Sequence, residues 1–214
     1  METTPTSGGL RGLLLKHAPE LREERPLPWR GAGALPDLSL LVEGLLLVTR
    51  AETVVASFAR VFQGVETAED WLRLHPVARI DRLRTGGLVR QKEKLVSEIA
   101  MARARRSPVP GGYVGAVYGL RHGVSWVSPT SDSIARVATR LGVSAQWFAR
   151  IVIAGANDDA AGGDMSQIPV AEPPGYVALG AALDVAALFC RTTETICAAC
   201  SLASLCATAR RGGA

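Results

Sequence analysis

The sequence predicts an all-α protein, and three observations lead there. No segment alternates apolar and polar residues at period two. Apolar residues instead recur three and four apart in successive stretches. Proline and glycine punctuate the chain between those stretches, so the connections are short. Of the 214 residues, 48% are hydrophobic and 21% charged, which excludes a mostly disordered chain. The length suits one large domain or two small lobes.

Taken in order, residues 1–36 read as irregular, broken by Pro26, Pro28 and Pro36. Asp37 can cap a helix start, and Leu38–Val48 then reads as a buried helix. Thr53–Phe62 carries Val54, Phe58, Val61 and Phe62 on one stripe. Thr67 and Asp70 have the spacing of a capping box opening a short helix, Ala68–Leu74. Val77–Leu83 is another short helix, ended by Gly86 and Gly87. Arg90–Arg105 has helical periodicity through Leu95, Ile99 and Ala102, until Pro108 and Pro110 stop it. Tyr113–Trp126 is glycine-bearing and reads as a short helix followed by a turn. Ser131–Leu141 opens on Ser131 or Asp132 and stacks Ile134, Val137, Ala138 and Leu141 on one face. Ala145–Ala154 follows, then loops at Asn157–Gly163 and Pro169–Pro174. A long apolar helix, Gly175–Leu188, runs straight into Cys190.

The early apolar run Leu13–Leu15 is too short for a secretion signal. Leu38–Val48 is well short of the ~20 residues a membrane span needs. The expectation is a cytoplasmic protein with reduced thiols. The net charge of +4 is a mild cationic excess, compatible with a polyanionic partner but not diagnostic of one.

All four cysteines lie in one stretch, Cys190-x6-Cys197-x2-Cys200-x5-Cys206. In a reducing compartment, such clustering points to metal rather than to disulfides. Four soft thiolates suit zinc or an iron–sulfur cluster. A zinc knuckle usually repeats two close pairs, whereas this loop has one.

This spacing, near the end of an all-α chain of this length, resembles the iron–sulfur DNA glycosylases of the helix-hairpin-helix superfamily, which include endonuclease III and the adenine-specific mismatch glycosylase. Weaker motifs follow in the family's order. Leu27-Pro28-Trp29-Arg30 resembles the family's LPWR, and Val42–Thr49 resembles its SEIMLQQT helix. Gly87–Lys92 resembles GLYxxKA, Ile134–Leu141 resembles the stretch after the catalytic Asp, and Leu183-Asp184 resembles MDLG. The resemblance implies a two-lobed fold, with a central helical-bundle lobe over 37–130. The second lobe joins 1–36 to 131–214 and carries a 4Fe–4S cluster on Cys190, Cys197, Cys200 and Cys206. It also implies a monomer that acts on double-stranded DNA.

The resemblance assigns catalysis to three residues. Glu43 falls where the adenine glycosylase has its general acid, and burial in an apolar run would raise its pKa. The other reading of Glu43 is a surface carboxylate on a half-buried helix. Ser131 falls where the family has its catalytic Asp, and Asp132 lies one residue later. A carboxylate there would stabilise positive charge on the sugar as the base departs. The other reading of Asp132 is an acidic residue favoured at a helix N-terminus. The lysines are Lys16, Lys92 and Lys94, so none lies where bifunctional members place a Schiff-base amine. An enzyme of this sequence would therefore be monofunctional, without strand nicking.

DNA contacts implied by the resemblance are Leu47 as an apolar wedge, Arg121, His122 and Gly123 in a degraded hairpin, and Arg191 in the cysteine loop. Between Pro110 and Asp132 the chain is far shorter than the family's hairpin pattern, so the hairpin is degenerate or lost. Arg79, Arg82, Arg84, Arg90, Lys92 and Lys94 form one cationic stretch, with Arg90 and Lys92 as the phosphate ligands singled out. Arg103, Arg105 and Arg106 form another. Trp126 could stack on a base.

The leading functional expectation is a DNA glycosylase that flips out a damaged, mismatched or modified base and cleaves its N-glycosidic bond. The alternative is an attenuated or inactive relative that binds DNA and senses lesions. A third reading is a cluster protein whose partner is another protein.

Overall fold

The computed structural model describes residues 6–30, 34–46, 49–84, 87–105, 107, 131–153 and 174–212. Ten α-helices account for most of them, and the only β-type pairing among them is an isolated bridge between Cys190 and Thr195. The all-α prediction holds. No helix among the described residues is long and apolar enough to cross a membrane.

The described residues fall into two units. One comprises 6–26, 131–153 and 174–212, and the other comprises 27–30, 34–46, 49–84, 87–105 and 107. Residues 27–30 and 34–36 therefore group with the central unit, whereas the sequence reading placed them with the other lobe. The reason is Leu27 and Trp29, which are buried in the same core as Leu38–Val42.

In the first unit, α1 spans Ser7–Glu24, which corrects the reading of residues 1–36 as irregular. Gly8, Gly9, Gly12 and Pro19 lower its intrinsic propensity. Leu10, Leu14, Ala18 and Leu21 nevertheless form one buried stripe, and packing against the apolar helix Pro174–Leu188 outweighs propensity. At the end of α1, Arg25 Nη1 reaches Asp184 Oδ1 at 2.9 Å, which gives that buried carboxylate its counter-charge.

The central unit is built on α2, Pro36–Leu46, in which every residue from Leu38 to Leu45 is buried. Asp37 does not cap this helix. Its Oδ2 accepts from the Ala68 backbone N–H at 2.8 Å and its Oδ1 from Arg103 Nε at 2.9 Å, so it ties two other helices to the start of α2. Helix α3 (Ala51–Val61) turns Val54 and Val61 inward. Helix α4 (Ala68–Arg73) starts with the capping box expected of Thr67 and Asp70. Helix α5 spans Pro76–Arg82 and α6 spans Val89–Ala104. Rings of Trp29, Phe58, Phe62 and Trp71 run through the core in sequence, with centroids 5.6, 5.2 and 5.9 Å apart. Gly44 allows α2 to approach α6: a Cβ there would lie 3.0 Å from Ile99 Cδ1 and 3.2 Å from Val96 N.

The first unit resumes with α7 (Asp132–Leu141), which ends on left-handed Gly142 (φ +82°). Helices α8 (Ala145–Ile153) and α9 (Pro174–Leu188) follow. Two 3-10 turns, Cys197–Ala199 and Ala203–Leu205, shape the cysteine loop before the short α10, Ala207–Arg210. Leu10, Leu14, Ile134, Phe148, Leu179 and Leu202 are among this unit's buried core residues.

Candidate functional site

In the central unit, α2 buries one carboxyl, that of Glu43, which is 4% exposed. Loss of water raises its pKa from the ordinary 4.5 to about 7, and the nearby Arg30 guanidinium opposes part of the rise. Leu40, Leu41 and Val42 precede it on a helix buried along nearly its whole length, so no rotation of α2 would return the side chain to solvent. Near neutral pH this carboxyl can both hold and release a proton. The surface reading of Glu43 is thereby excluded.

Ser131 is the N-cap of α7, and its Oγ accepts from the Ile134 N–H at 3.3 Å. Asp132 is the first residue of that helix and is exposed, where the helix dipole favours a negative charge. Both belong to the first unit, whereas Glu43 belongs to the central one.

The four cysteines come together. They line one small, partly open recess, together with Arg140, Phe189, Thr195 and Thr208. All four are half-buried free thiols. Burial pushes the Cys200 thiol up, and the neighbouring Cys190, Cys206 and Cys197 push it further. No carboxylate or imidazole lines the recess, so its donor set is all sulfur. Among the described residues no three His, Cys, Asp or Glu side chains converge as a group that could hold a metal ion.

The loop is held by helix α7. Arg136 Nε donates to the Cys190 carbonyl at 2.7 Å, and Arg140 Nη1 lies 3.2 Å from Cys190 Sγ. The Arg140 carbonyl accepts from the Cys206 thiol at 3.3 Å and from Thr208 Oγ1 at 3.1 Å. Sequence reasoning assigned these two arginines no role. Their i, i+4 spacing, which puts both on one helix face, was the available signal.

The DNA-contact candidates divide differently. Arg90 is exposed, and so is Arg191, whose Nε donates to the Ala187 carbonyl at 3.3 Å. Lys92 is corrected: it is 2% exposed, in a recess that Leu45, Thr49, Val54, Ser57, Val61 and Leu83 also line, and burial lowers its pKa. A lysine this buried cannot serve as a surface phosphate ligand. Leu47, Arg121, His122, Gly123 and Trp126 lie outside the described residues, as does the whole hairpin segment.

The fold of this all-α chain is similar to one already seen in a solved structure. The particular likeness is to a solved thermostable thymine-DNA glycosylase. The TM-score is 0.63 at 17% identity, over 97% of this chain and 100% of that one. No family model matches the sequence, and no curated protein matches it.

Proposed function

We propose that this protein is a monofunctional DNA glycosylase that flips a mismatched, damaged or modified base from double-stranded DNA and cleaves its N-glycosidic bond. Glu43 is the observation that carries this reading. A carboxyl held at a pKa of about 7 inside a DNA-glycosylase fold is poised to donate a proton at physiological pH. Protonation of the departing base at a ring heteroatom lets it leave neutral rather than as an anion. The sugar is left with positive charge until water adds at its anomeric carbon and gives up a proton; the carboxylate that would stabilise that charge is assigned from the sequence resemblance alone, to Asp132. Ser131 shapes this turn through its cap to Ile134 rather than by supplying charge.

We further propose that Cys190, Cys197, Cys200 and Cys206 hold a 4Fe–4S cluster, a reading supported by their spacing in the sequence and by the recess they share. When bound, such a cluster braces the loop and adds one-electron redox capacity. The proposed enzyme carries no β-lyase activity in this reading, because Lys92 is buried and neither Lys16 nor Lys94 lies in the hairpin segment of the sequence.

One observation favours the second reading, an attenuated lesion-sensing protein. A serine committed to capping stands where the resemblance places the catalytic acid. Single-turnover assays on duplexes carrying mismatched thymine, mismatched adenine and a panel of damaged bases decide between the two. Base release that falls about 10²-fold or more in Glu43→Gln supports catalysis. Salt-dependent binding without abasic sites supports the sensor. Absence of any salt-dependent binding overturns both and favours a protein partner.

A further inference from the structure

We propose that Ser39 is a positioning residue, whose buried hydroxyl clamps the turn Leu27–Arg30 to helix α2 and so keeps the Arg30 guanidinium within charge range of the Glu43 carboxyl. The proposal rests on the reading of Glu43 as the proton donor. It deepens that reading by naming the contact that fixes the acid's charged neighbour.

Ser39 is fully buried on α2, four residues before Glu43, so the two side chains share a face of the helix. Its Oγ donates to the Trp29 carbonyl at 2.6 Å, with the Leu35 carbonyl as a longer alternative at 3.2 Å. A hydroxyl has one proton to give, and the shorter contact takes it. The Leu35 carbonyl already receives the Ser39 N–H at 3.0 Å, so the turn depends on the hydroxyl more than the helix does. The turn is closed by the Arg30 N–H on the Leu27 carbonyl at 3.0 Å, and Leu27 and Trp29 anchor it in the core. The Trp29 indole N–H is buried without a hydrogen-bond partner among the described residues. Trp29 is therefore held by ring packing, against Phe58 among others, and by its carbonyl.

Arg30 is the next residue along, and its positive charge favours the ionised form of Glu43 against the burial that favours the neutral one. Among the described residues it is the one charged group that acts on this carboxyl. Charges on the helices packed against α2 are engaged elsewhere: Asp70 with Arg73 at 2.6 Å, Glu93 with Arg79 at 3.2 Å, and Arg103 with Asp37 at 2.9 Å. Lys92 shares its recess with Leu45, two residues beyond Glu43 and so across the helix from it. Without the Ser39 hydroxyl, the buried Trp29 carbonyl loses its donor. A buried acceptor left unmade is costly, so the turn shifts to find water and carries Arg30 with it.

The test uses the full chain with isotope-labelled glutamate carboxyls, as wild type, Ser39→Ala, Ser39→Thr, Arg30→Gln and the double variant Ser39→Ala with Arg30→Gln. The Glu43 signal is identified by its loss in Glu43→Gln, and its titration midpoint is read by NMR against pH. Arg30→Gln should raise that midpoint, on the order of one unit for a nearby cation removed. Ser39→Ala should reproduce a measurable part of the rise, Ser39→Thr should restore the wild-type midpoint, and Ser39→Ala should add nothing once Arg30 is gone. A merely structural role would lower the melting temperature and leave the midpoint where it was. If Ser39→Ala does not fold, Ser39→Cys, of similar size and a weaker donor, takes its place. An unmoved midpoint in the folded Ser39 variant, or an equal rise with and without Arg30, overturns the proposal. Base release tests the underlying reading separately: its alkaline limb should move to higher pH with the carboxyl midpoint in Ser39→Ala. A limb that ignores the midpoint, or release undiminished in Glu43→Gln, overturns Glu43 as the acid and leaves the clamp standing.

Discussion

Replacement of Glu43 by glutamine should make the protein more stable as the pH rises, while removing the proposed acid. The carboxyl titrates at 4.5 in an unfolded chain and at about 7 in the folded one. The folded state therefore binds this proton more tightly than the unfolded state. Below pH 4.5 both states are protonated and the group costs nothing in charge burial. Between those two values stability falls as the pH rises, because the folded state must ionise a buried carboxyl. A shift of roughly 2.5 units at about 1.36 kcal/mol each sets the total loss at about 3 kcal/mol, complete above pH 7. Glutamine keeps the shape and never ionises, so the variant escapes that loss. Urea unfolding followed through the fluorescence of buried Trp29 and Trp71 would measure it. The gap should be about 1 kcal/mol or less at pH 5 and about 3 kcal/mol in favour of Glu43→Gln at pH 8.5. A gap that does not change with pH, or a variant weaker at pH 8.5, refutes the burial argument and with it the assignment of Glu43 as a neutral-pH acid.

Two further outcomes test the packing around that carboxyl. Gly44→Ala gains about 1 kcal/mol of helix propensity, but its Cβ meets Val96 N at 3.2 Å, and a backbone atom cannot step aside. Overpacking costs of about 1–3 kcal/mol outweigh the gain, so a lower urea midpoint is expected. Asp37→Ala removes the partner of Arg103 and the cap on Ala68, and should lose about 2–3 kcal/mol in the same assay.

The helices that bury a stripe were legible in the sequence because the stripe is the cause of the helix. Ile134, Val137, Ala138 and Leu141 announce α7, and the same four are its buried face. The Thr67–Asp70 box was legible because its chemistry is complete within four residues. Helix α1 was not, since its glycines argue against it locally and what stabilises it, the face of α9, lies more than 150 residues away in sequence. Asp37 shows the same limit in reverse. Its local position suggests a cap for α2, yet Ala68 and Arg103, distant in sequence, claim both of its oxygens. At the candidate site, the cysteines were legible from spacing alone. The arginines that clamp them were not, because a charged residue on the polar face of a helix looks the same whether it meets water or a sulfur atom.

The charge count misleads for this same reason. The stretch from Arg79 to Lys94 holds six cations and reads as a face for phosphates. Three of them have other work. Arg79 pairs with Glu93 at 3.2 Å, Arg82 donates to the carbonyls of Val61 and Gln63 at 3.2 and 2.7 Å, and Lys92 is buried. Arg84 and Lys94 are exposed and hold only surface pairs, with Asp81 at 2.8 Å and Glu98 at 3.9 Å, of the kind that screening makes weak. Arg90 is exposed. In the proposed DNA complex, phosphate neutralisation from this stretch therefore falls to Arg84, Arg90 and Lys94, half the apparent number. Outside this stretch, Arg25, Arg103, Arg136 and Arg140 are likewise engaged, with Asp184, Asp37 and Cys190. What a polyanion would meet is set by which cations the folded chain leaves in water, and a net charge of +4 counts those it has already spent on its own architecture.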